Sequence, residues 1–386
     1  MSDESKRPLV HFSPEKGWMN DPNGPVFFKG EYHLFFQHNP DNVFWDNMHW
    51  GHAVSKDLIH WVELPIALFP DEQGMIFSGS AFVDKDNVTG FGKENSPALL
   101  LFYTSHDHKT MREMQCLAYT TDGKEFFKYD KNPLIAGREH TPARDPHVFE
   151  NKIIGGYSLC YTTEDAVVFY HSTNLLNWEK TGEFRLPEYA LKGMIECPCM
   201  LEFEKHVLMM SMDVPESEFN KFPKGASAHS RTMQYFVGDF NGLTFTADKE
   251  QNEVLLVDYG NDFYAGTVFS NVKEKILIAW MGDFSDEAKA VNTEAEGFKG
   301  TLSFPRKLDL CKTDKGYRLH HEFYPRPKGV KGIEYVTGEE EILIDRIILE
   351  SIKENGFLPA TNYTLKNLGV EKWDINLKTL NLQFYA

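Results

Sequence analysis

Three acidic residues stand in company that would suit chemistry: Asp21 in WMNDPNG, Asp145 in ARDP and Glu196 in IECP. Two carboxylates brought to one pocket can work on a glycosidic bond. In the retaining version one attacks the anomeric carbon, and the other protonates the leaving oxygen and then activates water across a gap of about 5–5.5 Å. In the inverting version a gap of about 6.5–9.5 Å leaves room for the water. Spacing along the chain leaves both geometries open.

The local sequence says how each carboxylate is held. Pro22 restricts Asp21 toward an extended backbone, and Gly24 permits a sharp turn after it. The competing reading is an Asx-turn, in which Asp21 only caps its own loop. Glu196 has the apolar neighbours Met194, Ile195 and Cys197, so a desolvated carboxyl suited to a general acid is expected. Asp145 follows Arg144, and as a third carboxylate it could bind substrate hydroxyls as positive charge grows on a sugar. Trp18, Trp45, Trp50 and Phe77 sit beside these motifs as wall or core. The tract HDHK at His106–Lys109 lacks further ligands at metal spacing, so no metal is expected.

Residues this far apart need a scaffold that gathers them. Segments such as EYHLFFQHN, ALLLFYTS, YSLCYTT and HVLMMSMDV read as strands, and no long stretch has helical periodicity with caps. The class is all-β. SKDLIHWVEL from Ser55, TTDGKEFFKY from Thr120, STNLLNWEKT from Ser172 and a degenerate GDFNGLTFTA from Gly238 form a repeat with spacings of 65, 52 and 66 residues. Each unit can hold a four-stranded antiparallel sheet, and about five such sheets arranged radially make a β-propeller; the alternative is a large sandwich. Asp21, Ser78 in FSGS, Asp145, Glu196 and Asp262 in NDFYA follow the same rhythm, at intervals of 57, 67, 51 and 66. If each lies on the innermost strand of a blade, the five converge at one mouth of the channel.

The 386-residue chain carries a net charge of −17, with 30 Phe, 16 Tyr and 7 Trp. An acidic surface repels phosphate backbones and anionic lipid, so neither nucleic acid nor membrane is an expected partner. Abundant aromatics suit strands and also offer faces on which sugars stack. MSDESKRPLV has no apolar signal core, and the five cysteines show no metal-type spacing, so a reduced, cytoplasmic protein is expected. Without a secretion signal, Asn87 and Asn362 read as chance matches to the glycosylation pattern.

With these residues assembled, the chain resembles the β-fructofuranosidases of glycoside hydrolase family 32, the invertase, levanase and inulinase group. WMNDPNG, YHLFFQHNP, HWGHAVSKDLIHWVELPIAL, FSGSAF, ARDPHVF, ECP, MQYFVGDFNGLTF and DYGNDFYA follow in that family's order over residues 9 to 310. The resemblance implies a five-bladed propeller (1–327) followed by a β-sandwich, here a partial segment (328–386). It implies retention, with Asp21 as nucleophile, Glu196 as acid/base and Asp145 as transition-state stabiliser. Asn20, Gln37, Trp45, Phe77, Ser78 and Arg144 match positions that shape the fructosyl pocket. Sucrose or short fructans are the implied substrates, and no metal or organic cofactor is implied. Other readings within reach are a sucrose-6-phosphate hydrolase, a fructosyltransferase, and a catalytically impaired fructoside-binding propeller.

Four departures from that pattern stand out: Ile195 and Cys199 around ECP, Gly266-Thr267 after DFYA, and Phe298 where a tryptophan is usual. They are expected to alter the wall around Glu196 and the leaving-group side. The segment after Pro327 reads as strands but is shorter than the about 100 residues of a sandwich. Ending on the apolar run Leu380–Tyr385, it would leave an open edge for self-association.

Overall fold

The computed structural model describes residues 6–93, 96–282 and 293–363. Five antiparallel sheets run in chain order around a central channel, each with its first strand innermost. The innermost strands are Gly17–Phe28, Met75–Asp84, Ala143–Glu150, Met194–Glu202 and Tyr264–Val268, defining blades 1 to 5. The ring closes where Phe27 N donates to Ser270 O (3.0 Å) and Ser270 N to Pro25 O (2.9 Å). Phe298–Lys299 adds a short parallel strand beside Gly17–Trp18, so blade 1 is also joined from the far end of the propeller.

Several of the strands read from the sequence as half-buried, among them Glu31–Asn39 and Ala98–Asp107, are buried on both faces. Each junction between blades has its own apolar core: Phe35, Trp50 and Leu101 lie between blades 1 and 2, and Phe169, Met210 and Phe236 between blades 3 and 4. Blades must approach closely at the channel. At Gly24 (φ 44°) an added Cβ would stand 2.9 Å from the Ala81 Cβ of blade 2.

The repeat seen in the sequence is the turn between the third and fourth strands of blades 1 to 4. Asp57, Asp122, Asn174 and Asn241 each turn a side-chain oxygen onto following backbone N–H groups. The next residue is left-handed in all four: Leu58 (φ 65°), Gly123 (φ 77°), Leu175 (φ 62°) and Gly242 (φ 91°). The recurring tryptophan closes the turn, since Trp61 Nε1 donates to Leu58 O and Trp178 Nε1 to Leu175 O, both at 3.2 Å. In blades 1 to 3 the opening hydroxyl accepts from the same turn.

After blade 5, four antiparallel strands at Glu334–Val336, Glu341–Asp345, Ile348–Lys353 and Leu358–Tyr363 form a sixth sheet. The apolar run Leu380–Tyr385 lies outside the described residues. Asp262, expected at the pocket, is instead buried against this sheet, where its Oδ2 accepts from Tyr363 N (2.9 Å). It lies two residues before the innermost strand of blade 5, so it falls short of the channel mouth.

A buried ionic cluster ties this sheet to the N-terminal segment. His11 Nδ1 contacts Asp345 Oδ2 at 2.8 Å, and its Nε2 contacts Glu350 Oε1 at 2.9 Å. Burial works against the imidazolium, but the two carboxylates outweigh it and push His11 up to about 9. A raised histidine stabilises the fold fully below its unfolded value near 6.5 and loses that contribution as pH rises through about 9. Denaturant midpoints are therefore expected to fall between pH 6.5 and 9, with a His11 share on the order of 3 kcal/mol. His11→Gln should flatten that slope; an unchanged slope would refute the assignment.

Candidate active site

Each innermost strand breaks its regular pairing at the site. Residues 20–21 lie between the pairs Met19↔His38 and Pro22↔Phe36, and 145–146 between Arg144↔Thr162 and His147↔Cys160. Residues 197–198 and 265–266 interrupt blades 4 and 5 likewise, and Ser78 is the extra residue in blade 2. Such bulges re-aim side chains. Asp145 (φ 66°), Cys197 (φ 47°) and Ala265 (φ 53°) all take the left-handed conformation there, at a cost of about 1 kcal/mol each. Pro146 and Pro198 are tolerated because their strands are sheet edges that need no ladder N–H on the channel side, and Pro22 lies beyond the Gly17–Trp18 stretch that pairs with Phe298–Lys299.

The bulges converge on one pocket of about 270 Å³. Asn20, Asp21, Gln37, Trp45, Phe77, Ser78, Arg144, Asp145 and Glu196 all line it. Trp18 and Trp50 do not. They are core residues that brace the wall, with Trp18 Nε1 donating to Asn20 Oδ1 (2.8 Å) and Trp50 Nε1 to Phe77 O (3.0 Å).

Asp21 is oriented from two blades. Asn20 Nδ2 donates to its Oδ1 (3.0 Å), and Ser78 Oγ from blade 2 donates to its Oδ2 (2.6 Å). These partners are side chains rather than N–H groups of its own turn, so the Asx-turn reading does not describe it. Burial pushes the Asp21 carboxyl up, the two hydrogen bonds pull it down, and the charge of Glu196 adds to the rise. Gln37 is held by other partners. Its Nε2 donates to Asn23 Oδ1 (2.8 Å) and Ile76 O (3.0 Å), which joins blades 1 and 2 under the pocket.

Asp145 is 6% exposed and lies across the floor. Its Oδ2 accepts from Cys197 N at 2.9 Å, and the Cys197 Sγ stands 3.6 Å from both Asp145 Oδ2 and Asp21 Oδ2. Burial and the neighbouring Glu196 push Asp145 up to about 8, against the pull of Arg144. An acid raised in the native state binds protons that the unfolded chain has released, so stability falls as pH climbs from about 4 through about 8. Asp145→Asn is thus expected to raise the melting temperature at pH 8 by several degrees relative to pH 4. Calorimetry at the two pH values checks this, and an equal effect at both would refute it.

Glu196 differs from its expected setting. Ile195 alternates into the core between blades 3 and 4, while the Glu196 carboxylate meets polar partners. Arg144 Nη1 reaches Oε1 at 3.1 Å, and Arg231 Nη1 and Tyr264 OH reach Oε2 at 3.1 and 2.6 Å. The side chain is therefore held at the pocket wall by two guanidinium groups and a phenol.

Five lining residues went unread: His106, Met111, Glu113, Arg231 and Tyr264. Tyr264 lay within the NDFYA motif, two positions past the residue chosen there. His106 lay in the HDHK tract and stacks on Phe77 with ring centroids 4.2 Å apart. Arg231 and Glu113 lie on strands farther out in their blades, where nothing in the local sequence marks them.

The family departures also find their places. Ile195 (2% exposed), Cys199 (0%) and Phe298 (1%) pack in cores, and a Cβ at Gly266 would meet Met233 Sδ at 2.9 Å. None of the four lines the pocket. Among the described residues, no group of three or more His, Cys, Asp or Glu is placed to hold a metal ion.

A five-bladed propeller that gathers three carboxylates from different blades into one sugar-sized pocket has the architecture of a glycoside hydrolase. Residues 11–322 match the glycosyl hydrolases family 32 N-terminal domain. The chain is 38% identical to a levanase of Bacillus subtilis over 327 residues, covering 82% of this chain and 46% of that protein. It is 35% identical to an invertase of Schizosaccharomyces pombe, covering 79% of this chain and 53% of that protein. The chain thus spans about half the length of these curated relatives. The crystal structure of exo-inulinase from Aspergillus awamori superposes with a TM-score of 0.80 at 24% identity, covering 94% of this chain and 93% of that one. The chain belongs to glycosyl hydrolase family 32.

Proposed function

We propose that the protein is a retaining exo-fructosidase that releases terminal non-reducing β-D-fructofuranosyl units from sucrose or short fructans. Asp21 attacks C2 of the fructosyl unit, oriented by Asn20 and Ser78. Glu196 protonates the departing oxygen, and the same carboxylate then takes a proton from the water that frees fructose. Asp145 binds fructosyl hydroxyls, and those bonds strengthen as positive charge develops on the ring. Trp45 and Phe77, with centroids 6.0 Å apart and edge-on, offer an apolar wall to the sugar. The observation that carries this reading is that Asp21, Asp145 and Glu196, from blades 1, 3 and 4, line one pocket. The levanase, exo-inulinase and invertase relatives support the fructoside substrate class.

The test is to incubate the purified chain with sucrose, sucrose 6-phosphate, inulin and levan and to identify the products. Release of fructose, first in its β-furanose form, is expected from sucrose or the fructans. If all four substrates remain intact at high protein concentration, the reading fails.

A further inference from the structure

One buried acid has no part in the mechanism above, yet it ends at the pocket. Glu113 lies on the strand Arg112–Thr120, the third of blade 2, and is 2% exposed. Arg144, from blade 3, spends two of its nitrogens on it: Nε lies 3.0 Å from Glu113 Oε2 and Nη2 lies 2.9 Å from Oε1. Ala143 N also donates to Oε2 at 2.7 Å. On the other side His106 Nδ1 stands 3.2 Å from Oε1, and the His106 ring is stacked on Phe77 with an interplanar angle of 6°. What remains of the Arg144 fork is Nη1, which reaches Glu196 Oε1 at 3.1 Å.

A guanidinium held through two nitrogens has a fixed plane. Glu113 therefore sets where the third nitrogen points. It also shares the arginine's charge. Burial alone would push the Glu113 carboxyl up, but the His106 contact and the Arg144 charge outweigh it and hold it below the usual carboxylate range. The anion sits on the far side of Arg144 from Glu196, so Glu196 faces a guanidinium whose charge is already partly compensated.

We infer that Glu113 is a positioning residue for the reaction: by clamping Arg144 side-on it aims one guanidinium nitrogen at Glu196 and limits the charge that Glu196 feels. This rests on the reading of Glu196 as acid/base. With Glu113 removed, Arg144 is free to turn onto Glu196 with its whole charge. Such pairing disfavours proton donation to a departing sugar alkoxide, but it matters little to a leaving group that needs no proton.

The test is Glu113→Gln, which keeps the shape and loses the anion. With sucrose, kcat/KM is expected to fall on the order of 100-fold. With an aryl β-fructofuranoside, whose leaving group departs unprotonated, the loss in kcat/KM, which reports only the steps through fructosylation, should stay within about threefold. The Arg144 Nε–H signal, seen by 15N–1H correlation in the parent protein, should disappear or broaden in the variant. Equal losses on both substrates, no loss on either, or an Arg144 signal that persists would each overturn the inference. If the parent protein cleaves no fructoside at all, the proposed activity fails, and the Arg144 signal alone decides the clamp. Should Glu113→Gln not fold, Glu113→Asp is put to the same measurements. It retains the anion but is too short to keep both contacts, and a smaller loss with the same substrate split is expected.

Discussion

Asp21→Ala is expected to lower kcat on sucrose by about 10⁴-fold or more, and Glu196→Ala by about 10²–10⁴-fold. The two losses arise at different steps. Without Asp21 there is no nucleophile, so leaving-group quality cannot restore the rate. Without Glu196 the first step still proceeds when the leaving group is good, and the covalent intermediate accumulates for want of a general base. Azide should then rescue Glu196→Ala on an aryl fructoside and give a fructosyl azide with the configuration of the substrate. Any azide product from Asp21→Ala should have the opposite configuration. Steady-state rates and NMR of the azide products check both expectations. Wild-type rates in either variant, or rescue with the same stereochemistry in both, would remove the assigned roles. Neither change should unfold the chain, since both side chains face the pocket rather than a core.

Much of this site was legible because propeller geometry converts a linear rhythm into a ring. The turn residues Asp57, Asp122 and Asn174 reveal the blades since their chemistry is local: a side-chain oxygen, a left-handed residue and a closing aromatic within seven positions. Once blades are counted, residues near the start of each innermost strand must meet. Asp262 shows the limit. Its spacing was right to within a few residues, but bulges and strand starts decide which of Asp262 and Tyr264 reaches the channel, and these depend on pairing with the next strand. Glu196 shows another. Its neighbours in sequence are apolar, but strand alternation sends Ile195 to the other face, and the groups that touch the carboxylate come from residues 144, 231 and 264. The family departures show the same separation: Ile195 and Cys199 adjoin ECP along the chain while packing in two different inter-blade cores. Partnerships across blades, such as Glu113 with Arg144, have no local signature at all.

The largest effect on stability is expected at Arg306, which joins blade 5 to the last described sheet. Its side chain is fully buried. Nη1 donates to Asp258 Oδ2 at 2.7 Å, Nε to Glu350 Oε2 at 3.2 Å, and Nη2 to both Glu350 and Thr361. The guanidinium carbon also lies 4.9 Å from the centroid of the Phe263 ring. Each carboxylate has further work: Asp258 Oδ1 accepts from Thr361 N, and Glu350 Oε1 from Phe304 N. Arg306→Met fills similar space but leaves two carboxylates in a dry interior, with His11 as the remaining cation at Glu350. Breaking one side of such a buried network costs about 3–5 kcal/mol, because the orphaned charges, rather than the lost attraction, set the penalty. Denaturant unfolding should show that loss. Hydrogen exchange should rise first in Ile348–Lys353 and Leu358–Tyr363, ahead of blades 2 and 3. Adding Asp258→Asn to Arg306→Met should recover part of the stability by discharging one orphan, and that recovery separates a charge penalty from a packing defect. A single variant within about 0.5 kcal/mol of the parent, or a double variant worse than the single one, would show that the cluster does not hold this sheet in place.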